Sequence, residues 1–244
     1  MKKSWQFKAA GRDAITIQIF EEIGDSMFSE GTTAKSFSSD LEAAGPCITD
    51  IKLQISSAGG NVWDGLSIYE LLCRHPADVT AEVFFAASIA SVIAMAARKI
   101  SIAPTGVMML HEPYAATGGT AAEHLKMASA LDRVRDAMVV AYRKHSKKTK
   151  AEIEKILSQE TWYSAQEAVD AGFAEEISDP DEHGDGEMAA AFNPQILAKF
   201  RHVPRPIAAR FAASPELSRG VPDEERSRLS HRLELLKRLP DENR

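Results

Sequence analysis

Two hydroxyls interrupt an otherwise apolar run: residues 84–97 read FFAASIASVIAMAA, with Ser88 and Ser91 set among small and branched side chains. Ser88 falls where the stretch VTAEVFF, rich in strand-forming residues, gives way to a helical pattern beginning near Ala87. A hydroxyl at such a junction stands at the positive end of a helix dipole, beside N–H groups that have no helical acceptor, and the amide of Ile89 is the nearest of them. Negative charge developing next to Ser88 would therefore be stabilised. Ser91, a turn further in, reads as a core residue. His111 closes a second apolar stretch, VMML. If the two strands are neighbours, its imidazole can reach Ser88 and take the hydroxyl proton during attack on a carbonyl. A third feature, SSAGGN at 56–61, follows the stretch IKLQI and precedes a helical pattern. Paired glycines let backbone amides turn toward a ligand with no Cβ in the way, and such amides can hold an oxyanion.

Taken singly, each feature has an ordinary reading. A small serine can bond back to its own helix, a strand-end histidine can pack or cap, and a glycine pair can simply turn the chain. Nucleophilic chemistry requires the three to converge, with a further acceptor to orient the histidine.

The elements that would position them follow from periodicity. ITIQIF alternates Ile15, Ile17 and Ile19 on one face, and IKLQI alternates again, so both predict strands. Ala34, Phe37 and Leu41 recur at helical spacing before Gly45, a helix stop. Val62, Leu66, Tyr69 and Cys73 share one face of a second helix, and FFAASIASVIAMAA predicts a buried one. KISIA and VMML predict two short strands separated by the turn residues Pro104, Thr105 and Gly106. A long helix is expected over about 121–147 and a shorter one over about 151–157. In SAQEAVDAG, Ser164 and Glu167 form a capping box and Gly172 a stop. Strand and helix alternate with short loops, which predicts an α/β domain with helices packed on a sheet. Residues 1–178 are read as this domain. From 179 to 244 the chain becomes acidic, turn-rich and proline-bearing, an irregular and partly disordered extension with one short helix over ERSRLSHRLELLKRL.

The 244 residues leave room for a substantial core, and a formal net charge of -6 offers no basic footprint for nucleic acid. The two cysteines, Cys47 and Cys73, lack metal-ligand or disulfide-framework spacing. The start MKKSWQFKAAGRDA has no apolar segment behind its lysines, and no stretch reaches the roughly 20 apolar residues of a membrane span. A cytoplasmic protein without metal or organic cofactor, binding neither nucleic acid nor membrane, is the expectation.

Four blocks, SSAGGNVWDGLSIYELL, FFAASIASVIAMAA, VMMLHEP and ETWYSAQEAVDAGFAEEI, follow one another in the order and near-spacing of the proteolytic subunit of the Clp protease, ClpP. They resemble most closely the ClpP-related head maturation proteases of tailed phages and prophages. The resemblance runs from Ile15 to Ile177. It implies a crotonase-type ββα spiral fold and a serine peptidase in which Ser88 is the nucleophile, His111 the general base, and the amides of Gly60 and Ile89 the oxyanion hole. The family's third triad member is an aspartate; alignment through Ser164-Ala165 puts Glu160 in its place, with the same charge on one more methylene. The family's Asn-Ser-Pro-Gly-Gly loop is here Ser56-Ser57-Ala58-Gly59-Gly60. The long helix matches the handle by which ClpP rings pair. Its stripe of Leu125, Met127, Ala128, Leu131, Val134, Met138 and Val139 serves either a homo-oligomeric ring contact or an ordinary intramolecular face.

The function expected on this basis is an ATP-independent serine endopeptidase that trims capsid or scaffold proteins during phage head maturation. The alternatives are a housekeeping ClpP-like subunit served by an unfoldase, a crotonase-fold acyl-CoA enzyme, and a non-catalytic assembly protein that kept the fold.

Overall fold

The computed structural model describes residues 5–24, 33–179, 200, 202–205 and 207. Its elements are β1 (Trp5–Ala9), β2 (Ala14–Ile19), α1 (Ala34–Ala43), β3 (Asp50–Ser57), α2 (Val62–Arg74), β4 (Asp78–Ala87), α3 (Ile89–Ala94), β5 (Lys99–Leu110), α4 (Ala121–Tyr142), α5 (Lys150–Ser158), β6 (Thr161–Ser164), α6 (Ala165–Asp170) and β7 (Glu176–Ile177). The described residues up to 179 lie in one compact unit. The helix expected over 225–239, and nearly all of the expected extension, lie outside the described residues.

One mixed sheet runs β1-β2-β3-β4-β5-β6, with β7 pairing β5 off that path. Strands β2 to β5 are parallel, so each connection needs a crossover, and α1, α2 and α3 supply these. Strands β1 and β6 close the two ends antiparallel. The α/β layering read from the periodicity is the observed one.

Alternation decides which face is buried. Ile17, Leu53, Val83 and Ile102 point into the core. The intervening residues build a polar ladder on the other face: Gln18 Nε2 donates to Gln54 Oε1 at 2.9 Å, Gln54 Nε2 donates to Glu82 Oε2 at 3.1 Å, and Lys52 Nζ lies 2.9 Å from the same oxygen. Cross-strand pairing of this kind holds register, because a slip of one residue would exchange the two faces.

Helix starts are fixed by side chains that accept otherwise unpaired amides. Asn61 caps α2 through Trp63 N–H and Asp64 N–H, and Thr120 and Thr149 form capping boxes with Glu123 and Glu152. At α6, Glu167 accepts from both the Ser164 amide and its hydroxyl. Where α2 crosses α3, Gly65 is required, since a Cβ there would overlap the Ile89 side chain.

Several boundaries differ from expectation. Residues 84–97 are not one helix: 84–87 finish β4, and α3 begins only after Ser88. KISIA and VMML belong to one strand, β5, whose pairing with β4 jumps from Val83↔Ile102 to Phe85↔Val107. The expected turn residues are the ones looped out at that bulge. In α2 the buried stripe is Gly65, Ile68 and Leu72, while Cys73 is exposed. The aromatic alternation of Trp5 and Phe7, passed over in the sequence, forms β1, with both rings packed on Phe37. The α4 stripe is buried only in its second half, at Val134, Met138 and Val139; Leu125 is 72% exposed.

Candidate active site

Strand register brings the candidate residues together. In the parallel pair β4·β5, Ala87 is opposite Met109, so the residues that follow, Ser88 and His111, leave the sheet on the same edge. Ser88 N–H donates to Met109 O at 2.9 Å and pins that exit. In the antiparallel pair β5·β6, Leu110 is opposite Thr161, which sets Glu160 across from His111. Three strand ends thus deliver a hydroxyl, an imidazole and a carboxylate to one place.

Ser88 Oγ lies 2.7 Å from His111 Nε2, and both side chains are buried. Burial pushes the His111 pKa below the usual histidine value, because a charged ring loses its hydration; the negative charge of Glu160 acts in the opposite direction and is the smaller influence. A lowered pKa favours the neutral ring, whose Nε2 can accept a proton, and the charge on Glu160 has the sign that would stabilise an imidazolium. Tyr114, just past His111, places its ring centroid 5.8 Å from the imidazole.

Ser88 has φ 56 and ψ -131, and Glu160 has φ 51. These are conformations that L residues avoid, at a cost of order 1–3 kcal/mol each, and they persist only where surrounding bonds enforce them. At Ser88 the sharp turn lifts the hydroxyl out of the strand and starts α3 immediately behind it. The first-turn amide of Ile89 has no carbonyl of its own helix to bond and lies beside Ser88.

The glycine loop completes the floor. Gly59, at φ +91, approaches so closely that a Cβ on it would sit 2.8 Å from Ser88 Cβ, 2.8 Å from Ala87 O and 3.1 Å from Ile89 N. Its amide donates to Ser57 Oγ at 3.2 Å. Gly60, the residue expected to supply the second oxyanion amide, is one position further on and is bridged to Ile23, with Ile23 N–H donating to Gly59 O and Asn61 N–H to Ile23 O. The sequence reading placed Gly59 in the glycine loop without separating it from Gly60; its close approach to Ser88 is what distinguishes it.

Ser91 is fully buried, as expected of a core residue, but it is not inert. Its Oγ lies 2.6 Å from Ser88 O, 3.3 Å from Met109 O and 2.8 Å from the Tyr142 hydroxyl at the end of α4.

A family model described as Clp protease matches residues 14–181, a span that includes Ser88, His111 and Glu160. The chain is 33% identical over 132 residues to the ATP-dependent Clp protease proteolytic subunit 2 of Thermobifida fusca, covering 52% of this chain and 64% of that protein. It is 31% identical over 166 residues to proteolytic subunit 3 of Rhodococcus jostii, covering 66% and 80%, and 31% identical over 140 residues to proteolytic subunit 1 of Leifsonia xyli, covering 56% and 71%. The chain thus spans a little under two thirds of the Thermobifida subunit's length.

Proposed function

The chain belongs to the Clp protease family of serine-type peptidases, and on that premise we propose that it hydrolyses peptide bonds through an acyl-enzyme formed on Ser88. The observation that carries the proposal is the 2.7 Å contact between Ser88 Oγ and His111 Nε2.

In the first step Ser88 Oγ attacks the scissile carbonyl carbon as its proton passes to His111 Nε2. The resulting oxyanion is assigned to the amide of Ile89 together with one from the glycine loop, for which Gly60 is the donor implied by the family resemblance. Glu160 stabilises the imidazolium. His111 then returns the proton to the departing amine, the C–N bond breaks, and an ester remains on Ser88. Water, deprotonated by His111, cleaves that ester and restores the hydroxyl. Every proton taken by the ring is given back within the cycle.

The relatives' names describe ATP-dependent Clp proteolytic subunits, which supports the reading of this chain as a proteolytic subunit acting on protein substrates; assembly of several copies and a cytoplasmic setting belong to the same proposal. Trimming of capsid or scaffold proteins in phage heads, the finer expectation from the sequence, has no support among these relatives. The exposed first half of α4, where Leu125 is 72% exposed, is the surface assigned to self-assembly.

The test is degradation of an unfolded protein by the wild type and by Ser88→Ala, with and without a Clp-type ATPase and ATP. Turnover by the wild type alone, enhanced by ATPase and nucleotide and absent in the variant, is the expected result. Nucleotide-independent trimming of a capsid precursor, with no response to the ATPase, would favour the head-maturation reading instead.

A further inference from the structure

We propose that Ser91 and Tyr142 are positioning residues that aim the Ile89 amide at the reacting carbonyl by anchoring the carbonyl of Ser88; the inference rests on the peptidase reading above. The direction of the hydrogen bonds follows from counting protons. Ser91 Oγ is surrounded by three oxygens, of which Ser88 O and Met109 O can only accept. Its single proton goes to the nearer, Ser88 O at 2.6 Å. Tyr142 at 2.8 Å must then be the donor into Ser91 Oγ. Complete burial, which raises the Tyr142 pKa, keeps the phenol protonated for that role. The chain reads Tyr142 O–H to Ser91 Oγ–H to Ser88 C=O, reinforced by Ser91 N–H donating to the same carbonyl at 3.0 Å.

What this anchors is one peptide unit. The C=O of Ser88 and the N–H of Ile89 share a plane and, with no cis bonds among the described residues, point in opposite directions. Drawing the carbonyl inward onto Ser91 therefore turns the Ile89 N–H outward, past Ser88 and toward the Gly59 wall. The unusual φ and ψ of Ser88 mean that this peptide would relax by rotating if it were released. The preceding peptide is held by Ser88 N–H donating to Met109 O, so Ser91 and Tyr142 supply the other half of a clamp around Ser88. Tyr142 ends α4 and also packs edge-on against Phe173 at 5.7 Å, so the clamp is rooted in α4 and in the turn after α6, neither of which carries a reacting group.

A donor aimed at the transition state affects kcat more than substrate binding. The experiment measures kcat and KM on a peptide ester, fluorophosphonate labelling and urea midpoints for the wild type, Ser88→Ala, Ser91→Ala, Ser91→Thr and Tyr142→Phe. Ser91→Ala is expected to lose about 10-fold in kcat with KM within about 2-fold. Ser91→Thr, which keeps the hydroxyl, should recover most of that loss, and Tyr142→Phe should fall between them. The acid limb of the pH profile should not move, since His111 is untouched. Wild-type kcat in folded Ser91→Ala, or equal losses in Ser91→Ala and Ser91→Thr, overturns the inference while labelling of the wild type preserves the peptidase reading. Failure of the wild type to label or turn over at all removes that reading and this inference with it. Should Ser91→Ala not fold, Tyr142→Phe decides: an unchanged kcat overturns the relay, and a several-fold drop at constant KM supports it.

Discussion

Leu110 pairs with Thr161 across an antiparallel ladder, and that single register sets Glu160 beside His111. The same strand, read from its other edge, pairs Met109 with Ala87 and so hands Ser88 to the opposite side of the ring. His111 follows the strand that lies between those flanked by Ser88 and Glu160, because β5 lies between β4 and β6.

The pH dependence follows from the burial of His111. Only the neutral ring can accept the Ser88 proton, and its pKa lies below the ordinary 6.5. The acid limb of kcat/KM should accordingly have its midpoint below 6.5, as measured on a peptide substrate whose own groups do not titrate there. Stability moves in the same sense. Between 6.5 and the lowered folded value the unfolded chain binds more protons at this site, so this contribution is lost as pH falls through that window and changes no further below it. Urea midpoints across the window check the sign; a midpoint that rises on acidification would contradict it.

Glu160→Gln removes a negative charge that raises the His111 pKa. Two effects should appear together: a fall in kcat on the order of 10⁴-fold, as when the orienting carboxylate of a serine triad is neutralised, and an acid limb displaced further toward low pH. Unaltered kcat in a folded variant would assign the orienting role elsewhere.

Gly59→Ala introduces a Cβ 2.8 Å from that of Ser88, at a φ of +91 that alanine tolerates poorly. Either the loop or the nucleophile must shift. A loss of about 10²-fold or more in kcat is expected, together with a destabilisation of about 1–3 kcal/mol in urea unfolding. Retention of wild-type rates would mean that the loop does not wall the nucleophile.

Leu125→Glu tests self-assembly through α4. Because the side chain is 72% exposed, the subunit's own stability should change by no more than about 0.5 kcal/mol. Sedimentation velocity should nevertheless show a smaller particle than the wild type. An unchanged particle would move the self-assembly surface off this half of the helix.

How much could be read from the sequence depended on how local each signal was. The strand end before His111 is written in adjacent residues, as are the caps at Ser164 and Glu167. The boundary of α3 was harder, because small apolar residues suit a buried strand and a buried helix equally, and only the conformation of Ser88 separates them. Strand β6 is four residues long, half-buried over 161–163 and exposed at Ser164, so it has no alternation to read, although its register is what places Glu160. Glu160 came from alignment rather than from any local pattern. Ser91 looked like a core residue because its partner, Tyr142, lies on another element far along the chain. Gly59 and Gly60 are indistinguishable as letters, and backbone geometry alone assigns their different neighbours.

The most direct test is covalent. The wild-type protein, treated with a fluorophosphonate and digested, should yield one modified peptide with the added mass on Ser88, and both Ser88→Ala and His111→Ala should remain unmodified under the same conditions. Modification of some other residue, or none in a folded protein, would contradict the claim that the 2.7 Å contact between Ser88 and His111 activates a nucleophile.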